Sequence, residues 1–151
     1  MFFRTSKNVK NIFNNVSYKY DFLNDLFSFG LHNLWKRELV KLANPKVGEY
    51  WGDLCCGTGD IAFLLNKKVL RTGKVVGIDN VESILKIAKK KSKSRKNNHI
   101  LWHKKDVFKL RKKDYSFDGI CMSYGLRNLN DINKGLKKVY EILKEDGKAA
   151  F

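Results

Sequence analysis

Residues 53–60 read DLCCGTGD, and this short stretch decides the fold that the chain is predicted to adopt. A first strand ends at Asp53, two glycines follow, and IAFLLNKKVL at 61–70 then begins an apolar helix. KVVGIDN at 74–80 is a compact β-branched run that ends in an acidic residue. Strand, Gly-x-Gly turn, helix and second strand make a βαβ unit, which is the building block of parallel α/β sheets.

The rest of the chain repeats this alternation of strands and helices. Strands are predicted in ILWHKKD (100–106) and FDGICMSYG (117–125), and a fifth strand begins in GKAAF. One helix has a buried face made of Val81, Ile84, Leu85 and Ala88. A second helix, in INKGLKKVYEIL (132–143), has Ile132, Leu136, Val139 and Leu143 on one face. The spacings predict amphipathic helices that cover a parallel sheet. A fifth strand that stops at Phe151 leaves an incomplete sheet, which we expect to be marginally stable.

Charge is the most unusual feature of the composition. The net charge is +16, and the densest basic run lies within residues 86–105. Its lysines fall on the solvated side of the helix that begins near Val81. Zinc-finger spacing and aromatic ribonucleoprotein motifs do not accompany them, so we expect no specific nucleic-acid partner. Attraction to an anionic membrane surface remains open as a use of this charge.

The three cysteines, Cys55, Cys56 and Cys121, predict neither a metal site nor a disulfide framework. There is no Cys-x-x-Cys pair and no second cluster that could complete a zinc site. Unpaired cysteines are typical of a reducing compartment such as a cytoplasm. We therefore expect no metal, and we interpret Cys55 and Cys56 as small packing residues in a tight loop.

The glycine loop predicts a ligand site. Gly57 and Gly59 let the main chain approach a ligand, and Asp79, about 20 residues later, is placed to accept hydrogen bonds from ribose hydroxyls. The third glycine of a dinucleotide fingerprint is replaced by Ala62, and Asp60 would bring a carboxylate near a pyrophosphate. Acids at Asp53 and Asp60 suit a cationic ligand better. S-adenosylmethionine combines a ribose with an ammonium and a sulfonium group, and it is the predicted cofactor.

The chain resembles the ubiquinone/menaquinone biosynthesis C-methyltransferase family along nearly its whole length. The blocks that carry the resemblance are IFNNVSYKYDFLNDLFSFGLHNLWK (12–36), DLCCGTGD (53–60), GIDN (77–80), the region of Asp106, SYGLRNLND (123–131) and ILKEDGK (142–148). Trp51, the CCGTGD loop and SYGLRNL are most similar to the branch in oxygenic phototrophs that makes phylloquinone. The resemblance implies a Rossmann-like class I methyltransferase sheet with helices on both faces at 48–151, truncated after the start of strand five. A helical N-terminal cover at 1–47 precedes it.

Carried over by position, the resemblance also implies site residues. Cofactor contacts are expected from Thr58, Asp79, Asn80, Asp106, Val107 and Ser123, joined by Asp53, Gly57 and Gly59 from the loop itself. Arg127 and Asn128 are expected to line the side of the quinol as catalytic residues. The quinol reacts once a ring hydroxyl loses its proton, and Arg127 would either stabilise the resulting oxyanion or, as the resemblance implies, help a water to take the proton. Tyr20, Asp21, Asn24 and His32 are expected to face the pocket from the cover. His32, Tyr18 and Tyr20 are alternative general bases.

The implied reaction is methylation of a ring carbon of a prenylated or phytylated quinol, with demethylphylloquinol as the favoured substrate. Demethylmenaquinol or a polyprenyl-benzoquinol is the alternative substrate, and a truncated, non-catalytic cofactor-binding protein is the alternative class. The resemblance implies the bacterial cytoplasm or the plastid stroma, with contact at a membrane surface left open. Two departures stand out: Gly52 lies inside the first strand, where glycine weakens pairing, and residues 145–147 replace a Pro-Gly-Gly turn.

Overall fold

The computed structural model describes residues 31–94 and 99–151, and within them five parallel strands form one sheet in the order β3-β2-β1-β4-β5. The strands are β1 (Tyr50–Leu54), β2 (Lys74–Asp79), β3 (Ile100–Lys104), β4 (Phe117–Cys121) and β5 (Leu143–Ala150). The helices are α1 (Leu31–Ala43), α2 (Asp60–Val69), α3 (Glu82–Ser94) and α4 (Ile132–Ile142), and short 3-10 turns cover Val107–Lys109 and Leu126–Asn128. The strand order reverses beside β1, where open α/β sheets bind ligands.

Two apolar clusters cover the two faces of the sheet. Alternate residues of β1 point to opposite faces, so that Trp51 joins one cluster and Leu54 the other. The cluster of Trp51 includes residues of α1 and α2, such as Val40 and Leu65. The cluster of Leu54 includes Val139 and Ile142 of α4. The predicted parallel sheet with helices on both faces is therefore confirmed.

Helix α3 follows β2 as the periodicity predicted. Val81, Ile84, Leu85 and Ala88 are all buried. Its lysines at 86, 89, 90 and 93 are exposed, as expected for a solvated basic side. Among residues 31–94 and 99–151, no helix has the length and apolar character needed to cross a membrane.

Helix α4 buries part of the face that the sequence predicted. Val139 and Leu143 are buried as predicted, whereas Ile132 and Leu136 are 47% and 37% exposed. Gly135 and Ile142 are buried in addition. Gly135 lets the helix approach Leu129 closely, since a Cβ at this position would lie 2.3 Å from Leu129 Cδ1. A search for apolar residues does not count glycine, so it placed Ile132 and Leu136 on the buried face where the structure has Gly135.

Strand β5 begins earlier than predicted. Lys148, Ala149 and Ala150 pair with Gly119, Ile120 and Cys121, which confirms the expected fifth strand. However, the strand already begins at Leu143, which pairs with Phe117. The register shifts between this pair and the three later pairs. Residues 145–147 therefore form an irregular bulge inside β5 rather than the turn implied by the resemblance.

The glycine inside β1 has a packing reason. A Cβ on Gly52 would lie 3.0 Å from Phe117 Cζ, so the ring of Phe117 fills the space where a side chain would stand. Phe117 is fully buried and stacks on Tyr115 with the ring centroids 5.5 Å apart. Buried aromatic area compensates here for the weak strand propensity of glycine.

Candidate functional site

Three aspartates meet at the carboxyl edge of the sheet, as the strand pattern predicted. Asp53 lies near the end of β1, Asp79 ends β2, and Asp106 follows β3 by two residues. Burial raises the pKa of the Cys55 thiol to about 12, and the negative charges of Asp79, Asp53 and Asp106 contribute to this rise. The thiol therefore lies within the electrostatic influence of all three carboxylates. The sequence therefore placed these carboxylates correctly around the glycine loop.

Asp79 organises the glycine loop through its two carboxylate oxygens. The N–H of Gly57 donates to Oδ2 at 2.9 Å, and the N–H of Val81 donates to Oδ1 at 3.0 Å. Burial raises the pKa of Asp79 above its ordinary value, even though these backbone hydrogen bonds act to lower it. The backbone of Asn80 contributes a third such hydrogen bond. A carboxylate offers about four acceptor sites, so the side chain is able to support the loop and still accept from a ligand.

Asp53 holds the helix that follows the loop. It is 1% exposed, and its Oδ2 accepts from the N–H of Ala62, in the first turn of α2, at 2.9 Å. Burial raises the pKa of Asp53 well above its usual range. Asp53 thus contacts the backbone of Ala62, and this hydrogen bond connects β1 to the first turn of α2.

The two glycines of the loop have different surroundings. Gly57 has φ of +55°, and a Cβ there would meet no atom of residues 31–94 or 99–151 within 4 Å. Gly59 has φ of +89°, and a Cβ there would lie 2.3 Å from Trp102 Cη2. Both positions favour glycine for their backbone angles. Only Gly57 borders open space for a ligand, whereas Gly59 is required for packing against the indole of Trp102.

The carboxylate of Asp60 is engaged by two lysines of the chain. Lys36 Nζ of α1 lies 2.8 Å from Oδ2, and Lys91 Nζ of α3 lies 3.5 Å from Oδ1. Burial would raise the pKa of Asp60, but the two ammonium groups outweigh it and hold the pKa below its ordinary value. The interpretation of Asp60 as a charge that favours a cationic ligand missed this neutralisation.

A cavity of about 350 Å³ lies beside the ends of β2 and β3. Its lining residues are Asn80, Lys104, Lys105, Asp106 and Lys109. Asp106 begins the 3-10 turn by accepting from the N–H of Phe108 at 3.0 Å. Asn80 is exposed, whereas Val107 is buried in the core cluster. The structure thus brings Asn80 and Asp106 together, as predicted, in a more basic setting than expected.

The segment after β4 packs directly on the glycine loop. A Cβ on Gly125 would lie 2.5 Å from Cys55 Cβ, so a glycine is needed where the two segments touch. Cys55 and Tyr124 both have left-handed backbone angles, with φ of +54° and +58°. Ser123 is half-buried at the start of this segment. The cysteine is therefore part of a tight contact between two parts of the site.

Arg127 and Asn128 are exposed on the 3-10 turn that follows. The guanidinium of Arg127 lies 5.3 Å from the ring centroid of Tyr124. The side-chain nitrogen of Asn128 lies 3.4 Å from the carbonyl oxygen of Tyr124. Both residues are accessible to an incoming molecule. Neither of these two contacts with Tyr124 is a short hydrogen bond that would fix the side chain.

Of the residues predicted in the N-terminal cover, only His32 belongs to the described part of the chain. His32 is 7% exposed on α1, and Tyr18, Tyr20, Asp21 and Asn24 lie outside the described residues. Burial raises the thiol pKa of Cys56 and Cys121, so both favour the inert thiol form. In the described ranges, no group of three or more histidine, cysteine or acidic side chains is arranged to hold a metal ion.

Trp102 and Lys91 were missed by the sequence reading. A signal for Trp102 exists, because it pairs in register with Gly77 of β2, where a Cβ would lie 2.5 Å from the indole. Lys91 carried no signal, since it is one of many lysines in a basic helix.

Comparison with known proteins matches the chain to one family and to named relatives. The family description is ubiE/COQ5 methyltransferase family, and the match covers residues 1–151. The 2-phytyl-1,4-naphtoquinone methyltransferase of Nostoc sp. is 39% identical over 144 residues, which are 95% of this chain and 63% of the relative. The chloroplastic enzyme of Arabidopsis thaliana is 40% identical over 93% of this chain and 55% of its own length. The demethylmenaquinone methyltransferase of Lactobacillus johnsonii is 38% identical over 96% and 60%.

Solved structures share the fold. An S-adenosylmethionine-dependent methyltransferase from Clostridium acetobutylicum has a TM-score of 0.69 at 22% identity, covering 86% of this chain and 54% of its own. The [4+2]-cyclase SpnF has a TM-score of 0.75 at 15% identity, covering 93% and 57%. At such identities the likeness shows the fold alone. The chain spans about 55–63% of the length of these three curated relatives. Since the family match covers all of its residues, the chain belongs to the ubiE/COQ5 methyltransferase family.

Proposed function

We propose that this chain carries the cofactor-binding part of an enzyme that methylates a ring carbon of a prenylated quinol with S-adenosylmethionine. The favoured substrate is demethylphylloquinol, which would yield phylloquinol, and demethylmenaquinol or a polyprenyl-benzoquinol is the alternative. Family membership supports the reaction class, and the names of the relatives from Nostoc and Arabidopsis support the naphthoquinol. The observation that carries the proposal is the meeting of Asp79, Asp106 and the open face of Gly57 at one sheet edge.

The residues present fit the proposed cofactor. Open space borders the backbone of Gly57, so a ligand would approach the main chain there without a clash. Asp79 borders this loop with lone pairs available for ribose hydroxyls, and Asp106 lies in the adjoining cavity with Asn80. The lysines of that cavity would surround the uncharged nucleoside rather than the sulfonium.

S-adenosylmethionine supplies, when bound, an electrophilic methyl group on a positively charged sulfur. Asp79 would hold the ribose, and Asp106 the adenine amino group. Asn80, Val107 and Ser123 would complete the adenosine side, while Thr58 and the backbone of Gly57 and Gly59 would support the amino-acid side. The buried carboxylate of Asp53 would stabilise the loop by holding α2 in place.

The acceptor side would use the segment after β4. A ring carbon is a weak nucleophile until a neighbouring hydroxyl loses its proton, so the enzyme has to favour the quinolate and orient the carbon. Arg127 would stabilise the negative oxygen with its exposed guanidinium, and Asn128 would orient the ring. His32, Tyr18 and Tyr20 are the candidates for the base, with Tyr20, Asp21 and Asn24 on the substrate side.

We also propose that the basic edge of the sheet contacts an anionic membrane surface. Residues 82–114 hold thirteen lysines and arginines against three acids, and they span α3, the edge strand β3 and the turn that follows. Lysine outnumbers arginine there, and Leu101 is 49% exposed among them. Such a surface suits anionic lipid headgroups, where a prenylated substrate resides. Methyl transfer would take place at the cytoplasmic or stromal face of a membrane.

Isotope transfer tests the reaction. The chain would be incubated with methyl-labelled S-adenosylmethionine and, in parallel, reduced demethylphylloquinone, demethylmenaquinone and a demethylated benzoquinone, with the oxidised quinones as controls. Mass spectrometry is expected to find the label on the ring carbon of the reduced naphthoquinone. Ligand binding without label on any quinol would instead favour a non-catalytic, cofactor-binding protein.

Co-sedimentation tests the membrane contact. The chain is expected to sediment with vesicles containing phosphatidylglycerol and to stay in solution with phosphatidylcholine vesicles. Exchange of Lys86, Lys89 and Lys93 for glutamate is expected to abolish sedimentation. Equal sedimentation of the variant and the wild type would contradict the membrane proposal. So would release of the chain from the vesicles by RNA whose concentration of negative charge is lower than that of the lipid.

A further inference from the structure

We infer that Lys91 is a positioning residue for the glycine loop, acting together with Lys36 across three helices. The inference rests on the proposed function, in which residues 57–60 border the cofactor. Lys91 Nζ donates to Thr58 Oγ1 at 2.9 Å and also lies 3.5 Å from Asp60 Oδ1. One ammonium group therefore contacts two of the four residues at 57–60, Thr58 in the loop and Asp60 at the start of α2.

Lys36 completes this arrangement from the other side. It approaches the second oxygen of the same carboxylate at 2.8 Å, from α1. The side chains of Lys36, Asp60 and Lys91 are 16%, 28% and 29% exposed, so they are partly removed from solvent. Ion pairs with this degree of burial are screened less than exposed pairs. Asp60, at the first position of α2, thus links α1 and α3 to the loop.

The loop has a physical need for these contacts. Cys55, Gly57 and Gly59 all have left-handed backbone angles, which an isolated chain would seldom hold together. Asp53, Asp60 and Asp79 also bring three carboxylates near the loop, and the charge of Asp60 helps to raise the pKa of Asp53. Lys36 opposes that effect. Lys36 and Lys91 together lower the pKa of Asp60, so the two ammonium groups counter the negative charge that gathers beside the loop.

A positioning role and a simple charge effect predict different changes in ligand affinity when Lys91 is removed. Loss of a nearby positive charge alone would strengthen the binding of cationic S-adenosylmethionine relative to uncharged-sulfur S-adenosylhomocysteine. Loss of loop geometry would weaken both ligands by the same factor, because both would use the loop in the same way. Comparing the two ligands therefore separates the mechanisms.

Calorimetric titration of Lys91→Met with both ligands is the central experiment. We expect both dissociation constants to rise about tenfold, as for the loss of one charge-assisted hydrogen bond. Lys91→Arg, which keeps the charge and a donor, is expected to recover most of the affinity. Lys68→Met, at an exposed lysine of α2 outside the basic edge of residues 82–114, serves as the matched control and should bind as the wild type does.

Hydrogen exchange of the ligand-free chain gives a second measurement that needs no cofactor. Lys91→Met is expected to speed exchange at the amides of Gly57 and Gly59, with the β2 amides of Val75 and Val76 unchanged. If the wild-type chain binds neither ligand, the proposed function fails, yet this exchange comparison still tests the positioning role. If Lys91→Met does not fold, Thr58→Val removes the same hydrogen bond and takes its place. Unchanged exchange, or stronger binding of S-adenosylmethionine alone, would overturn the inference.

Discussion

The glycine loop at 53–62 and the segment at 123–128 touch each other, yet they are held in different ways. In the loop, the carboxylates of Asp53 and Asp79 accept hydrogen bonds from backbone N–H groups at 2.9–3.0 Å. In the second segment, Arg127 and Asn128 are exposed, and the side-chain nitrogen of Asn128 lies 3.4 Å from the carbonyl oxygen of Tyr124. The contrast suggests a preorganised half for a constant cofactor and an adaptable half for a bulky substrate.

The largest effect is expected from Asp79→Ala, which would break the rigid half. The variant loses acceptors for Gly57 and Val81 and the proposed contact to ribose. Charge-assisted hydrogen bonds contribute about 1.5–3 kcal/mol each, so S-adenosylmethionine binding should become undetectable by calorimetry. The double variant Cys55→Ala, Cys56→Ser is the control and should still bind. Loss of the ligand in the cysteine variant, with retention in Asp79→Ala, would reverse the roles assigned here.

Arg127→Ala tests the adaptable half and should produce the next largest effect. Turnover is expected to fall by about 100-fold, as for the loss of one group that stabilises a developing oxyanion. Cofactor affinity should remain unchanged, because the guanidinium lies on the exposed turn after β4. Single-turnover methyl transfer and calorimetry measure the two quantities separately. An affinity loss at undiminished saturated turnover would place Arg127 on the cofactor side instead.

The two glycines sharpen the comparison within the rigid half. Gly59→Ala should destabilise the fold by about 2–4 kcal/mol, from overpacking against Trp102 and left-handed strain. Gly57→Ala should cost only about 1–2 kcal/mol, since its Cβ meets open space and strain alone remains. Its ligand affinity should nevertheless fall, because that space is where the cofactor would lie. Urea unfolding and titration of both variants check this, and equal destabilisation would refute the distinction.

The smallest effect concerns pH. The folded-state pKa of Asp53 is raised by burial, so its contribution to stability is full below the unfolded pKa and is lost as pH rises through the folded value. Asp60 has a lowered pKa, so its contribution is present above the unfolded pKa and is lost as pH falls through the folded value. Asp53→Asn should therefore flatten the decline of stability that begins above about pH 4. Urea unfolding at several pH values measures this, with Asp60→Asn as the matched variant. That variant should remove the loss of stability on the acidic side and, because the charge of Asp60 contributes to the raised pKa of Asp53, should also weaken the decline at higher pH.

The sequence alone determined the succession of strands and helices along the chain and the positions of the carboxylates at the ends of the strands. The βαβ pattern around DLCCGTGD predicted β1, α2 and β2, because hydrophobic period and glycine position are local properties. Asp53, Asp79 and Asp106 could be expected at one edge, since parallel strands end on the same side of a sheet. The buried face of α3 was predicted for the same reason, as its apolar residues repeat regularly.

Only the tertiary structure decided which residues each of these groups touches. Gly57 and Gly59 are alike in sequence, yet Trp102 from β3 occupies the space beside one and leaves the other open. Lys91 is indistinguishable from its neighbouring lysines until α3 lies against the loop. Gly135 rotates α4 through its contact with Leu129. Such contacts join residues distant in sequence, and their energies depend on distance and burial, which no local pattern encodes.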